Sequence, residues 1–345
     1  MKAPALSLIL ILSCFFSPAL SVRPEEVRFT VMFYNVENLF DTVDNPDTQD
    51  NEFLPKGERR WNGYRLQSKL NNLAKVIVNT GHWEPPAIIG FCEVENRDVL
   101  EMLVNHPALK IWKYRIIHKD SPDERGIDVA AIYREKVFNP LAYAYFSPVK
   151  QEQDEASTRE ILYLSGVLGG IDTLHFYFNH WPSRYGGLME TRKGRFNAAA
   201  RLRSEISLLQ AGQVNPRVVV MGDFNDQPDD ESMVKHLNAL PEVRDDPDEL
   251  VNLSARWAAT GKGTLKFQSM WNVFDQIIVS GNMMQTNNRL YTTPDDAAIF
   301  EAGFLLKQDE QYGGIELFRT YEGYRYTGGF SDHLPVMLIL RSRIP

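Results

Sequence analysis

The sequence predicts a mixed α/β fold built in layers, and three observations carry that prediction. Seven short apolar runs have the length of strands, and several are apolar at every position, as strands covered on both faces are. Apolar stripes recurring at three- and four-residue steps, the period of a helix, lie between some of them. Other strands follow one another with no helix between, so the chain is not a simple alternation of strand and helix.

Taken in order, Val27 to Tyr34 alternates Val27, Phe29, Val31 and Phe33 against Arg28, Thr30, Met32 and Tyr34. Leu66, Leu70, Leu73, Ala74 and Ile77 predict the first helix. Ala87 to Cys92 is a buried strand, and Asn96 can cap a helix carrying Leu100, Leu103 and Val104. Val129 to Tyr133 and Leu174 to Phe178 are further strands. Phe196, Ala199, Leu202, Ile206 and Leu209 make a third helical stripe, which ends before Gly212. Arg217 to Met221, Val273 to Val279 and Val336 to Leu340 complete the strands. No linker or repeat divides the chain, so residues 22–345 are expected to form a single domain.

Residues 1–21 read as a secretory signal: Lys2, an apolar run from Leu6 to Phe16, then Ala19-Leu20-Ser21. The run is too short for a comfortable membrane span of about 20 apolar residues. A second reading takes Ser13-Cys14 as a loose lipobox, with lipid anchoring through Cys14. The expected location is secreted, periplasmic or at the cell surface, as a monomer without a stable membrane span. The net charge of the 345-residue chain is -8. A protein held to DNA mainly through phosphates is usually basic, so this acidity weighs against a tight nucleic-acid binder. It weighs less against an enzyme, where a cation can carry the positive charge. Beyond the signal, Cys92 is the only cysteine, which excludes an internal disulfide or thiolate metal site; it reads as a buried, inert thiol.

Burial explains the strands but not their tips. Asn35, Glu93, Asn179-His180, Asp223 with Asn225, Asp275 and Asp332-His333 all stand at or near strand ends. Polar tips converging on one side of a sheet are how α/β folds build ligand sites. On an extended chain Asp223 and Asn225 would point the same way. A carboxylate can activate water or hold a hard cation, and an amide can hold a phosphoryl oxygen.

The pieces "FYNVENLF", "FCEVEN", "RGIDVAAIY", "FNHWPSR", "GDFND", "FDQIIVS" and "SDHLPV" stand in the order seen in the endonuclease/exonuclease/phosphatase family, which the chain resembles from about Phe29 to Leu340. That resemblance implies a four-layered α/β sandwich, two mixed β-sheets packed face to face with outer helices. It implies a secreted, metal-dependent phosphodiesterase of the deoxyribonuclease-like bacterial branch, using Mg²⁺ (or Mn²⁺, with Ca²⁺ as a further candidate).

The resemblance also assigns roles. Asn35, Glu93 and Asp332 are the expected metal ligands, oxygen donors of the kind Mg²⁺ takes. His333 is the expected acid–base group, oriented by Asp275. His180 is a second catalytic histidine, with Asp128 as its expected orienting acid. Asp223 and Asn225 are expected to hold the attacking water and a phosphoryl oxygen; whether Asp223 or His333 takes the proton stays open. Asn179 either binds phosphate or ends its strand. Glu37 and Glu95 read as structural, as do His82, His106, His118, His175 and His236.

Basic and aromatic residues cluster in "KGERRWNGYR" (Lys56 to Arg65) and in "SRYGGLMETRKGR" (Ser183 to Arg195). Arg184 and Tyr185 are expected to rim the cleft and touch substrate, since arginine and aromatic rings together hold nucleic-acid strands. Arg192, Lys193 and Arg195 have the alternative of a solvated helix face, and Lys266 is left open. The expected substrate is DNA or RNA, with a phospholipid headgroup or small phosphate ester as the alternative. A catalytically silent binding relative is disfavoured because every core position holds a competent residue.

Overall fold

The computed structural model describes residues 26–81, 84–148, 158–242 and 246–343. The signal segment, Cys14 and His82 lie outside the described residues.

Two mixed seven-stranded sheets pack face to face. In the first, the Glu26–Leu39 strand is central, parallel to Ile88–Val94 and antiparallel to Val336–Arg343. Asp128–Arg134 and Tyr114–Ile117 extend it on one side, and the short strands Leu290–Tyr291 and Ala297–Ile299 pair with the far edge. The second sheet runs Phe138–Phe146, Ile161–Leu168, Asp172–His180, Val218–Asp223, Asp275–Ser280, Leu250–Asn252 and Ala239–Leu240.

Alternation along the strands divides the core into three. Val31, Phe33 and Ile88 face Phe176, Phe178 and Met221 between the sheets. Met32, Tyr34 and Ile89, on the opposite pleat, face α1 (Gly63–Thr80) and α2 (Arg97–Val104). Tyr177, Val218 and Val220 face α3 (Leu188–Gly212). The order of layers is therefore helix, sheet, sheet, helix, the expected four-layered sandwich. Close approach of the sheets leaves no room for a side chain at Gly90: a Cβ there would stand 2.1 Å from the Phe178 ring.

The helix caps follow the sequence chemistry. The Asn96 side chain accepts the Val99 N–H at 3.0 Å, and Asn62 accepts that of Arg65 at 3.2 Å. Every expected strand forms. Two long strands were not expected, Phe138–Phe146 and Ile161–Leu168. The first is an edge strand whose Pro140 sits beside a register shift, which breaks the alternation. α3 also begins earlier than its apolar stripe, at Leu188. Among the described residues no helix is long and apolar enough to cross a membrane.

Candidate active site

Strand register brings the polar tips to one level. Asn35 lies opposite Cys92, His180 opposite Asp223, and Asp223 opposite Asp275. Gly222 lets two of these strands close in, because a Cβ there would meet the Asn179 carbonyl oxygen and Cβ at 2.6 Å. Glu93 falls at a register shift between Cys92 and Val94, with φ 61°. A bulge of this kind re-aims one side chain, and Glu93 is turned towards the tips of both sheets.

The side chains close a ring. The Asn35 amide donates to Glu93 Oε1 at 3.3 Å and to Asp223 Oδ2 at 3.1 Å. Asp223 Oδ2 lies 3.7 Å from His333 Nε2 and 3.8 Å from His180 Nε2. His180 Nε2 is 3.9 Å from Glu93 Oε1. Behind His333, Asp275 Oδ2 stands 2.6 Å from Nδ1. Asp223, Asp275, His180 and His333 are all buried.

That burial sets the electrostatics. Desolvation, aided by Asp275, pushes the Asp223 carboxyl up to about 7 against the pull of His333. Burial would lower His333, but the carboxylates of Asp275 and Asp223 outweigh it and hold the imidazolium well above its usual range. His180 is driven well below the usual range by burial and by the cations Arg159 and Arg125. The two histidines are thus biased to opposite charge states.

The donor set fits a hard divalent cation. Carboxylates of Glu93 and Asp223 flank the Asn35 amide, and among the described residues the buried Asp275 Oδ1 has no hydrogen-bond partner. Asp332 flanks this group. Burial raises its pKa, but Arg319, His333 and Lys69 together hold it below the usual carboxylate value.

Several expected placements need correction. Asp128 does not orient His180: it stands 2.8 Å from His118 Nε2 and accepts the Ser121 N–H, and among the described residues the buried His180 Nδ1 has no partner. His118 follows the edge strand that pairs with the Asp128 strand, which places its ring against that carboxylate. Asn35 presents its amide N–H to the carboxylates, because the Glu37 backbone N–H claims its Oδ1 at 3.0 Å. Asn225 does not share the direction of Asp223. The chain leaves extension there, with φ 51° at Asn225, whose backbone N–H bonds Asp223 Oδ1 and whose amide donates to the Trp181 carbonyl.

Asn179 is fully buried and bonds the Tyr177 carbonyl and the Trp181 indole N–H, which favours the strand-ending reading. Arg184 spends its guanidinium on the Asn225 carbonyl, Asp226 and Asp230, so it clamps the loop after Asp223. Arg195, read as substrate-facing or solvated, is fully buried against Asp226 at 2.7 Å. Lys266 is paired with Asp309 at 2.5 Å. Tyr185 stands at the surface, 93% exposed.

The structure also ties further charged residues to the site. Glu37, read as structural, lies buried between Arg319 and Lys69. Arg319 bridges Glu37 at 3.1 Å and Asp332 at 2.8 Å. Lys69 is buried, donating to Thr320 Oγ1 and the Phe330 carbonyl at 2.6 Å, and burial lowers it to about 8. A signal for Lys69 was present, since it sits three residues after Leu66 and four before Leu73, on the apolar face of α1. Arg125 and Arg159, beside His180, carried no such signal.

A family model described as Endonuclease/Exonuclease/phosphatase family matches residues 30–342. No curated protein matches the sequence. Among solved structures, a mannosyl-6-phosphatase of Bacteroides thetaiotaomicron is similar at 16% identity, covering 90% of this chain and 99% of its own, with a TM-score of 0.55. An endonuclease/exonuclease/phosphatase family protein of the same organism is similar at 16% identity over 93% and 100%, TM-score 0.54. TDP2 of D. rerio, complexed with a single-strand DNA product, is similar at 15% identity over 91% and 98%, TM-score 0.53. These likenesses show a shared fold.

Proposed function

Because the chain belongs to the endonuclease/exonuclease/phosphatase family, we propose that it is a phosphodiesterase hydrolysing nucleic acid by in-line attack of water on phosphorus. One observation carries this reading. Asp223 Oδ2 lies within 4 Å of Asn35 Nδ2, His333 Nε2 and His180 Nε2, so one buried carboxylate oxygen is shared by an amide and two imidazoles. That is a set of groups able to hold a water, take its proton and meet charge on a phosphoryl oxygen.

Asp223 orients the attacking water and accepts its proton. His333, held by Asp275, donates to the charge that develops on the phosphoryl oxygens, and Asp275 fixes which ring nitrogen faces the site. His180 stands on the other side of Asp223, where its uncharged ring can donate an N–H hydrogen bond to a phosphoryl oxygen, and the His333 imidazolium supplies the proton for the leaving oxygen. Asn225 bounds the pocket through its turn. Glu93 and Asp332 would hold a divalent cation, Mg²⁺ or Mn²⁺. When bound, that cation supplies electrophilic stabilisation of the phosphoryl oxygens. The chain is exported, through the segment ending at Ser21. The similarity to a mannosyl-6-phosphatase supports a second reading, a small phosphate ester as substrate.

The purified protein would be given plasmid, single-stranded DNA, RNA, sphingomyelin and bis(4-nitrophenyl) phosphate, with Mg²⁺ or EDTA, beside His333→Ala. Metal-dependent cutting of nucleic acid that the variant loses is the expected result. Intact nucleic acid alongside cleavage of an ester or lipid would keep the site and overturn the substrate.

A further inference from the structure

A basic and aromatic wall adjoins the catalytic ring, built from segments more than two hundred residues apart. The Arg59 guanidinium stands 5.1, 5.2 and 5.3 Å from the ring centroids of Phe53, Tyr321 and Tyr324, and that of Arg65 stands 4.4 Å from the Tyr326 ring. Arg59 also donates to the Gly323 carbonyl at 2.8 Å, and the Tyr321 hydroxyl and Arg65 both donate to the Arg59 carbonyl. These bonds weld the 51–65 segment to the ribbon formed by Tyr321–Glu322 and Arg325–Tyr326.

The ribbon is tied in turn to the catalytic ring. The Thr320 N–H donates to Glu37 Oε2 at 2.6 Å, and Arg319 bridges Glu37 to Asp332, the neighbour of His333. The wall therefore begins two residues from a guanidinium that touches the candidate metal ligand.

The joined segments expose Tyr64, 79% accessible, and Tyr324, 59% accessible, together with the cations Lys56 and Arg60. Among the described residues no acid forms an ion pair with Lys56, Arg60 or Arg65. Of the acids nearby, Glu52 pairs with Arg59 at 2.7 Å and Glu322 with Lys307 and Arg325, while the exposed Glu58 bonds the Tyr324 hydroxyl and keeps its charge. Lys56, Arg60 and Arg65 thus stand against the one free carboxylate of Glu58, a net positive excess in a chain of net charge -8. A small ester held at Asp223 and His333 has no use for it. A chain of phosphates and stacked bases does.

We infer that this wall, with Lys56, Arg60, Tyr64 and Tyr324 as its contacting residues, binds the nucleotides flanking the scissile phosphate, so that the substrate is an extended polynucleotide strand. The inference rests on the nucleic-acid reading above and deepens it.

The test uses Lys56→Glu with Arg60→Glu, and separately Tyr324→Ala. A charge-matched control, Lys110→Glu with Lys113→Glu, lies at the opposite end of the sheet, where Tyr114 pairs with Arg134. Binding of a short fluorescent single-stranded DNA is measured in EDTA across a salt series, and kcat/KM with Mg²⁺ is measured for that strand and for bis(4-nitrophenyl) phosphate. The double variant is expected to bind the strand at least ten-fold more weakly, with a salt slope shallower by about 1.4 for two phosphate contacts. Its kcat/KM should fall at least ten-fold more for the strand than for the small diester, and Tyr324→Ala should weaken strand binding with the salt slope kept. Strand cleavage by the parent protein, with all variants binding like the control, overturns the wall and leaves the nuclease reading standing. A parent protein that hydrolyses the small diester but neither binds nor cuts the strand overturns both.

Discussion

Asp275 makes the clearest single-residue prediction. It touches His333 through one oxygen, and its other oxygen is buried with no partner among the described residues. Asp275→Asn keeps the shape and removes the charge that sustains the imidazolium. Steady-state kinetics should show kcat falling by about 10²-fold or more, with a thermal midpoint within a few degrees of the parent. A loss of folding instead would make Asp275 structural. His175 gives the pH prediction, away from the site. It is buried beside Tyr163, whose hydroxyl is 2.8 Å from Nδ1, and burial lowers its pKa below 6.5 despite a bond to Gln213. The unfolded chain therefore binds the proton more readily than the folded one. The stability this group contributes is full above pH 6.5 and is lost as pH falls through the folded value. Denaturant titrations from pH 7 to pH 5 should show this acid limb in the parent and a flatter one in His175→Gln. Among the site residues, those on apolar strand tips were legible in the sequence. Asp128 and Arg184 were misread because their partners, His118 in one case and Asp226 and Asp230 in the other, are chosen by loop geometry that no periodicity reveals.

At the scale of elements, two glycines do the positioning. Gly90 lies where the sheets touch, so Gly90→Ala must displace the Phe178 ring; overpacking of this kind costs about 1–3 kcal/mol. Gly222 lies where the His180 and Asp223 strands approach, and its missing Cβ faces a backbone carbonyl, which yields less than a ring. Gly222→Ala should lower kcat/KM out of proportion to its cost in stability, because the displaced strand carries Asp223. Chemical denaturation beside kinetics of the two variants checks this; equal losses of activity per unit of stability would refute the distinction. The strands themselves were readable wherever apolar residues ran on or alternated. Phe138–Phe146 was not, because an edge strand exposes most of its residues and tolerates Pro140.

At the scale of the whole molecule, the site is a concentration of negative charge closed by two sheets. A cation that binds only the folded chain should stabilise it, by about 2.7 kcal/mol at a hundred times its dissociation constant. The thermal midpoint should therefore rise with added Mg²⁺ and return on chelation, with no substrate present. Glu93→Ala should abolish that rise while leaving the metal-free midpoint near that of the parent. An unchanged midpoint in Mg²⁺ would remove Glu93 from the ligand set.

The sequence by itself determined the layered α/β class, seven of the strands, the helices α1 to α3, and the residue types at the strand tips. These follow from local rules, the period of burial and the chemistry of caps. Only the tertiary structure decided which tip meets which. His118 rather than His180 beside Asp128, Arg319 between Glu37 and Asp332, Lys69 buried beneath the 320–330 segment, and the Arg59 wall against Tyr321 all join residues whose separation depends on how sheets and loops stack. Side-chain pairs of that kind are set by geometry in space, and periodicity along the chain carries no record of it.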